Sequence, residues 1–409
     1  MRGISSRLPF AFRGFVIAAA LILGTVAAQA VNQQVIYNLP GGSSGGANAH
    51  SNLVVTSSGL IYGTAASGGF KNNGTVFELR PKAGGGWNVR TIHFFKGGSD
   101  GYNPVGNIVF DASGNLYGAT SSDGGGTVYQ LAPNGNGSWT LRTIYSFQSY
   151  PNANTPYAGL TIDASGNLYG TTNSGGANGV GAIYKLSPNG DGTWSESVLY
   201  SFGSFSGDGQ YTWAEPVFDA AGNIYGTTVL GGAYGSGTVY RLSPNSDGTW
   251  TETILYSFTG QADQGVPKDA VWLDSSGNIF GTASADGTSG AGTVFELSSN
   301  SNGSWTEKTL HTFGAVGDGY RPFSNLTPDA AGNLYGTTYV GGAYGAGCVY
   351  RLHPGADGRW SENVVYSFTG LSDGNAPATG VTLGGKGVFY GGTELGGSAA
   401  MGVIYALKP

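Results

Sequence analysis

The stretch Asp329-Ala330-Ala331-Gly332-Asn333-Leu334-Tyr335-Gly336-Thr337-Thr338 decides the reading of this chain, because close copies of it recur at a nearly fixed interval. Its centre is an aromatic-Gly pair, found at Tyr62, Tyr117, Tyr169, Tyr225, Phe280, Tyr335 and Tyr390, with spacings of 55, 52, 56, 55, 55 and 55 residues. A turn precedes each pair, as in Asp111-Ala112-Ser113-Gly114-Asn115, where Asp, Gly and Asn tolerate tight-turn backbone. A second segment follows, such as Gly126-Thr127-Val128-Tyr129 or Gly237-Thr238-Val239-Tyr240. A third opens on Trp (Trp87, Trp139, Trp194, Trp250, Trp305, Trp360) and ends in Ile144-Tyr145-Ser146-Phe147 or Val365-Tyr366-Ser367-Phe368. The fourth, Leu160-Thr161-Ile162-Asp163 in one copy, leads into the next Asp-Gly-Asn turn.

Four short strands repeated in this way predict an all-β, seven-bladed β-propeller with one four-stranded antiparallel sheet per blade. The strands are called A (before the Asp-Gly-Asn turn), B (Leu-Tyr-Gly-Thr), C (Gly-Thr-Val-Tyr) and D (Leu-Tyr-Ser-Phe). A solenoid is the rival, and the chain ends separate the two. Gln34-Val35-Ile36-Tyr37-Asn38 is a D-type segment, and Gly402-Val403-Ile404-Tyr405-Ala406-Leu407 is C-type. The N-terminal strand is therefore expected to complete the last blade, which closes a ring and removes its open sheet edges.

Composition agrees. Of 409 residues 75 are Gly, with only 18 Lys and Arg and 24 Asp and Glu, so helix formers are scarce. Disorder is excluded by 24 Tyr, 19 Phe and 8 Trp, which supply a core. Met1 to Arg13 carries Arg2, Arg7 and Arg13 without an acid, and the apolar run Phe15 to Leu23 and the small-residue site Ala28-Gln29-Ala30 follow. Residues 1–30 thus read as a secretory signal peptide cleaved before Val31, and residues 31–409 as a single propeller domain. The alternative is an uncleaved anchor. Cleavage takes the net charge from −6 to −9, which excludes nucleic acid as a partner. The lone Cys348 stands where sister repeats carry Thr238 and Thr293, so it reads as a tolerated small residue, and no internal disulfide can form.

The unit 329–338, then Gly341-Gly342-Ala343-Tyr344-Gly345-Ala346-Gly347-Cys348-Val349-Tyr350-Arg351-Leu352, then Val365-Tyr366-Ser367-Phe368, resembles the Gloeobacter/Verrucomicrobia-type (GloVer) tandem repeat of exported bacterial proteins. More loosely it is similar to kelch repeats. The GloVer resemblance covers nearly all of residues 34–407 and implies a propeller that is secreted, periplasmic or displayed at the cell surface. Family members often carry a C-terminal sorting segment; here the last strand is followed only by Lys408 and Pro409, so a freely exported protein is expected. No catalytic motif comes with the resemblance.

Function is expected where loops converge over the central channel, at blades that break their own template. Strand A is entered through small or neutral residues at Gly106-Asn107, Ala158-Gly159 and Thr379-Gly380, whereas Tyr211-Thr212-Trp213-Ala214-Glu215 and Lys268-Asp269 depart from this, with Tyr320-Arg321 nearby and Tyr102 and Tyr157 on neighbouring loops. Glu215 and Asp269 among aromatic faces suit a carbohydrate, bound through its hydroxyls or cleaved by an acid and a base or nucleophile. The plain reading is solvated rim charges. The ligand is expected to be carbohydrate, neutral rather than charged, or a surface protein; the alternatives are a polysaccharide-cleaving hydrolase or lyase and a structural interaction module. The D-to-A loops carry Asp100, Asp208, Asp318 and Asp373, with Asp263 and Asn152 in equivalent places. A ring of such carboxylates could bind Ca²⁺; repeated Asp turns bonding their own backbone are the plainer account. No other cofactor is expected. The four histidines, His50, His93, His311 and His353, read as outer-strand surface residues.

Overall fold

The computed structural model describes residues 31–122, 125–148, 152–284 and 290–409; the expected signal peptide lies outside the described residues. Seven antiparallel sheets in the order A-B-C-D form the blades. In blade 3 these are Thr161–Ile162, Leu168–Gly175, Ala182–Pro188 and Trp194–Ser201. The last blade is built from both ends of the chain. Thr382–Leu383, Phe389–Gly392 and Val403–Lys408 supply A, B and C, and Asn32–Asn38 supplies D. This N-terminal strand runs antiparallel to Val403–Lys408, from Asn32 opposite Lys408 to Asn38 opposite Val403, so the ring closes as the sequence implied.

The recurring residues have specific tasks. Asp163 Oδ1 accepts the amide hydrogens of Ser165 and Asn167 at 2.9 Å each. Its Oδ2 accepts the Asn167 side-chain amide at 2.7 Å and the Tyr169 hydroxyl at 3.1 Å, which ties the turn to the aromatic of strand B. The Gly after that aromatic leaves room for the strand C ring. A Cβ on Gly118 would stand 2.6 Å from Tyr129 Cζ, closer than side chains pack. Each strand D carries a one-residue bulge against strand C, between Thr143 and Tyr145 in blade 2, which adds local twist.

Between blades the core is aromatic. The Phe directly after strand D meets the strand C ring of the next blade edge-on, as in Phe95–Tyr129 at 5.1 Å, Phe147–Tyr184 at 4.9 Å, Phe202–Tyr240 at 5.1 Å and Phe368–Tyr405 at 5.1 Å. Both members of the Phe202–Tyr240 pair are wholly buried. At the closing seam the N-terminal strand offers Leu39, also wholly buried, in place of Phe. Edge-to-face packing and apolar burial thus hold the ring, as its low charge requires.

Except in blade 2, where it runs over Pro104–Phe110, strand A is only two residues long, and the reason bears on function. Just before it, seven non-glycine residues at one repeat position take left-handed φ: Asn48, Asn103, Thr155, Tyr211, Val266, Arg321 and Ala376, at 55° to 61°. Such backbone is costly for Thr and Val in particular. It is held in place because the amide of this residue donates to the preceding blade, as from Tyr211 to Val180 O and from Arg321 to Ala291 O, both at 2.8 Å. Two residues further on, the chain faces the channel.

Candidate functional site

The turn into the channel creates a cavity of about 350 Å³ at its mouth. Each blade contributes the residue two positions after its left-handed one: His50, Val105, Tyr157, Trp213, Lys268, Phe323 and Ala378 form the wall. Gly106, Ala158 and Asp269 lie one step deeper, and Asn52, Asn107, Gly159 and Glu215 another. Tyr339, near the end of the B strand Leu334–Gly341, and Glu394, two residues past the B strand Phe389–Gly392, complete the lining.

Below the wall, polar side chains cross the channel. Asn107 Nδ2 donates to Glu215 Oε2 at 2.5 Å while its Oδ1 accepts the Asn52 amide at 2.9 Å. Asn52 Nδ2 donates to Asn325 Oδ1 at 3.0 Å, and Asn52 Oδ1 accepts the Gly380 amide at 2.5 Å. Asn52, Asn107 and Glu215 also line a second cavity of about 440 Å³, with Leu53, Ile108, Leu160 and Val381. The amide belt therefore divides the channel into two chambers, and Glu215 belongs to the division.

Charge is placed unevenly. Glu215 and Asp269 keep some exposure to the cavity but lie deep in the ring. Burial, and then the charge of Asp269, push the Glu215 carboxyl up to about 7, against a smaller opposing effect of the Asn107 hydrogen bond. Burial pushes Asp269 up to about 6, although the amides of Ala270 and Asn325 bond its charged form. Lys268 Nζ stands over the rings of Trp213, at 5.3 Å, and Phe323, at 4.7 Å, in cation–π geometry. Tyr157 and Trp213 lie 5.3 Å apart at 34°, and Trp213 Nε1 donates to Asn173 Oδ1 at 2.6 Å, which fixes the indole. On another part of the wall Glu394 accepts from the Tyr339 hydroxyl at 2.7 Å and pairs with His50 Nε2 at 2.5 Å.

Of the residues singled out from sequence, Tyr157, Trp213, Glu215, Lys268 and Asp269 come together in this cavity. Tyr102, Tyr211, Tyr320 and Arg321 do not line it. Tyr211 and Arg321 occupy the left-handed position, where the backbone does the work, and Tyr320 turns its hydroxyl to Gly314 O at 2.8 Å. Tyr102 is exposed outside the cavity.

The Asp residues considered for metal binding each close their own loop. Asp208 accepts the Tyr200 hydroxyl and the Ser204 amide, both at 2.8 Å, and Asp373 accepts the Tyr366 hydroxyl at 2.8 Å and the Thr369 amide at 2.9 Å. Asp263 bonds Tyr256 and Thr259 in the same way. Asp100 and Asp318 do so with His93 and His311 in place of Tyr, at 3.3 and 3.1 Å. Among the described residues one three-ligand grouping exists, His311, Asp318 and Glu362, at the junction of two blades.

The reading of all four histidines as outer-strand surface residues is corrected for two of them. His50 lines the cavity, and His353 ends a strand C, where its Nδ1 meets Asn333 Oδ1 at 2.7 Å. His93 and His311 are on strand D but half-buried against their aspartates. Sequence reasoning also missed Phe323, Tyr339, Glu394, Asn52 and Asn325. Counting back a fixed interval from each aromatic-Gly pair would have found the wall.

A seven-bladed propeller with a lined cavity at one channel mouth is the class these features define. The family model described as the Gloeobacter/Verrucomicrobia repeat matches residues 24–214 and 193–405, and the chain belongs to that family. Among solved structures, a Lactobacillus plantarum protein is 14% identical, with 77% of this chain and 84% of that one covered and a TM-score of 0.53, which shows a shared fold. An ulvan lyase, titled as a new polysaccharide lyase family, is 13% identical over 81% of this chain and 86% of that one, with a TM-score of 0.47. A Dyadobacter fermentans protein of unknown function is 12% identical over 92% and 99%, with a TM-score of 0.44. No curated protein matches the chain. Among the described residues no helix is long and apolar enough to cross a membrane.

Proposed function

We propose that this is an exported binding protein that takes a carbohydrate at the channel mouth. The observation that carries the reading is the pairing of aromatic faces with acceptors in one cavity. Tyr157 and Trp213 offer a platform against which the apolar face of a pyranose packs, and Glu215 and Asp269 accept hydroxyl hydrogens beside it. Three carboxylates, counting Glu394, against Lys268 and His50 oppose polyanionic glycans. Export follows from the N-terminal segment, and N-terminal sequencing of the secreted protein should begin at Val31.

A hydrolytic reading has one observation in its favour. A carboxyl raised to about 7 keeps its proton near neutrality, as a general acid must, and Asp269 beside it would serve as base or nucleophile. Titration of the purified protein against a polysaccharide panel, with assay for new reducing or unsaturated ends, separates the readings. Binding without new ends, lost in Trp213→Ala, is expected. New ends that vanish in Glu215→Gln would replace binding by hydrolysis. Silence on every glycan would leave a protein-interaction module.

A further inference from the structure

The two carboxylates on the floor have acceptors to spare, and among the described residues their hydrogen-bond partners are amides. Glu215 receives one side-chain amide, from Asn107, and Asp269 receives backbone amides of Ala270 and Asn325. The charges around the mouth are Lys268, His50, Glu394 and, beside Tyr339, Arg321. Lys268 is directed to the faces of Trp213 and Phe323, and His50 is paired with Glu394. The charge of Asp269 pushes the Glu215 carboxyl up, so the two repel each other. A hydroxyl brings one hydrogen to such a pair, whereas a primary ammonium brings three and a positive charge. Trp213 is two residues before Glu215 on the same segment, and both line the cavity.

We infer that the preferred ligand is a glycan bearing free amino groups, a 2-amino-2-deoxy sugar rather than a neutral or N-acetylated one, with its ammonium between Glu215 and Asp269 and its ring against Tyr157 and Trp213. This rests on the carbohydrate reading above and narrows the neutral ligand expected from sequence. Acetylation would remove the charge and two of the three hydrogens, and the amide would leave the carboxylate pair uncompensated. A simple polyamine shares the charge but not the ring, so it lacks the contact with the aromatic platform.

Calorimetric titration at about pH 6, where Asp269 changes its charge, tests this with four probes: de-acetylated chitosan oligosaccharides, chitin oligosaccharides, cello-oligosaccharides and spermidine. The expected result is chitosan oligosaccharides bound at least about tenfold more tightly than the others, and release of protons on binding, because an ammonium favours the ionised carboxylates. Glu215→Gln and Asp269→Asn, which keep shape, should erase the preference. Equal affinity for the three glycans, with no effect of either substitution on selectivity, would overturn the inference and leave the carbohydrate reading standing. Spermidine bound as tightly as the amino glycan would overturn the sugar part of it. Failure of every glycan would overturn both.

Discussion

Replacing Glu215 with Gln should make the protein more stable at alkaline pH, although it removes a group proposed to hold the ligand. In the folded ring the carboxyl rises from its ordinary 4.5 to about 7, through burial first and the charge of Asp269 second. A folded value above the unfolded one means that the folded state holds the proton more tightly. The contribution of this group to stability is therefore fully present below about pH 4.5 and is lost as pH rises through about 7. The rise from 4.5 to about 7, at about 1.36 kcal/mol per pH unit, corresponds to about 3 kcal/mol once both states are ionised. Gln keeps the oxygen that accepts from Asn107 Nδ2, 2.5 Å away in the native protein, and carries no charge to repel Asp269. Urea unfolding of both proteins from about pH 4 to 8 should give curves that coincide in acid and diverge steadily, with Glu215→Gln about 3 kcal/mol more stable at about pH 8. A constant offset across that range, or a less stable variant at about pH 8, would refute the electrostatic account of the floor.

Three other outcomes follow from the architecture. Phe202→Ala, at a wholly buried ring between Tyr200 and Tyr240, should cost about 3–5 kcal/mol in urea unfolding, whereas Phe205→Ala on the exposed loop just beyond should cost almost nothing. Deleting Asn32–Asn38 should leave Val403–Lys408 as an open edge, and size-exclusion chromatography should report aggregation or dimers. Val266→Asn should raise stability by about 1 kcal/mol, because Val266 has φ 58° where Asn48 and Asn103 serve in two sister blades; an unchanged or lower thermal midpoint would argue that the left-handed backbone there is unstrained.

The fold was legible because each repeat carries its instructions locally. Asp, Gly and Asn of the turn, the Tyr they hold and the Gly that admits the strand C ring act within one blade. Closure was legible for another reason: Gln34 to Asn38 resembles strand D and nothing else in the repeat. The site was half legible. Trp213, Glu215, Lys268 and Asp269 stood out as residue types foreign to their positions. Asn52, Asn107 and Asn325 did not, since an Asn near a turn is ordinary, and their role appears only in bonds across the ring, as between Asn52 and Asn325. Tyr211 and Arg321 misled for the opposite cause. Their side chains look suited to a ligand, but their repeat position is the one whose backbone turns the chain. Tyr339 reaches the mouth from strand B and Glu394 from just past it, a stretch not searched for template breaks.

A crystal structure of the protein with a bound oligosaccharide tests the central claim most directly. The account predicts a sugar ring packed on Tyr157 and Trp213, with a donor within hydrogen-bond distance of Glu215 or Asp269. Sugar bound instead at the exposed rim, for example on Tyr234 or Tyr344, with the channel mouth empty, would contradict it.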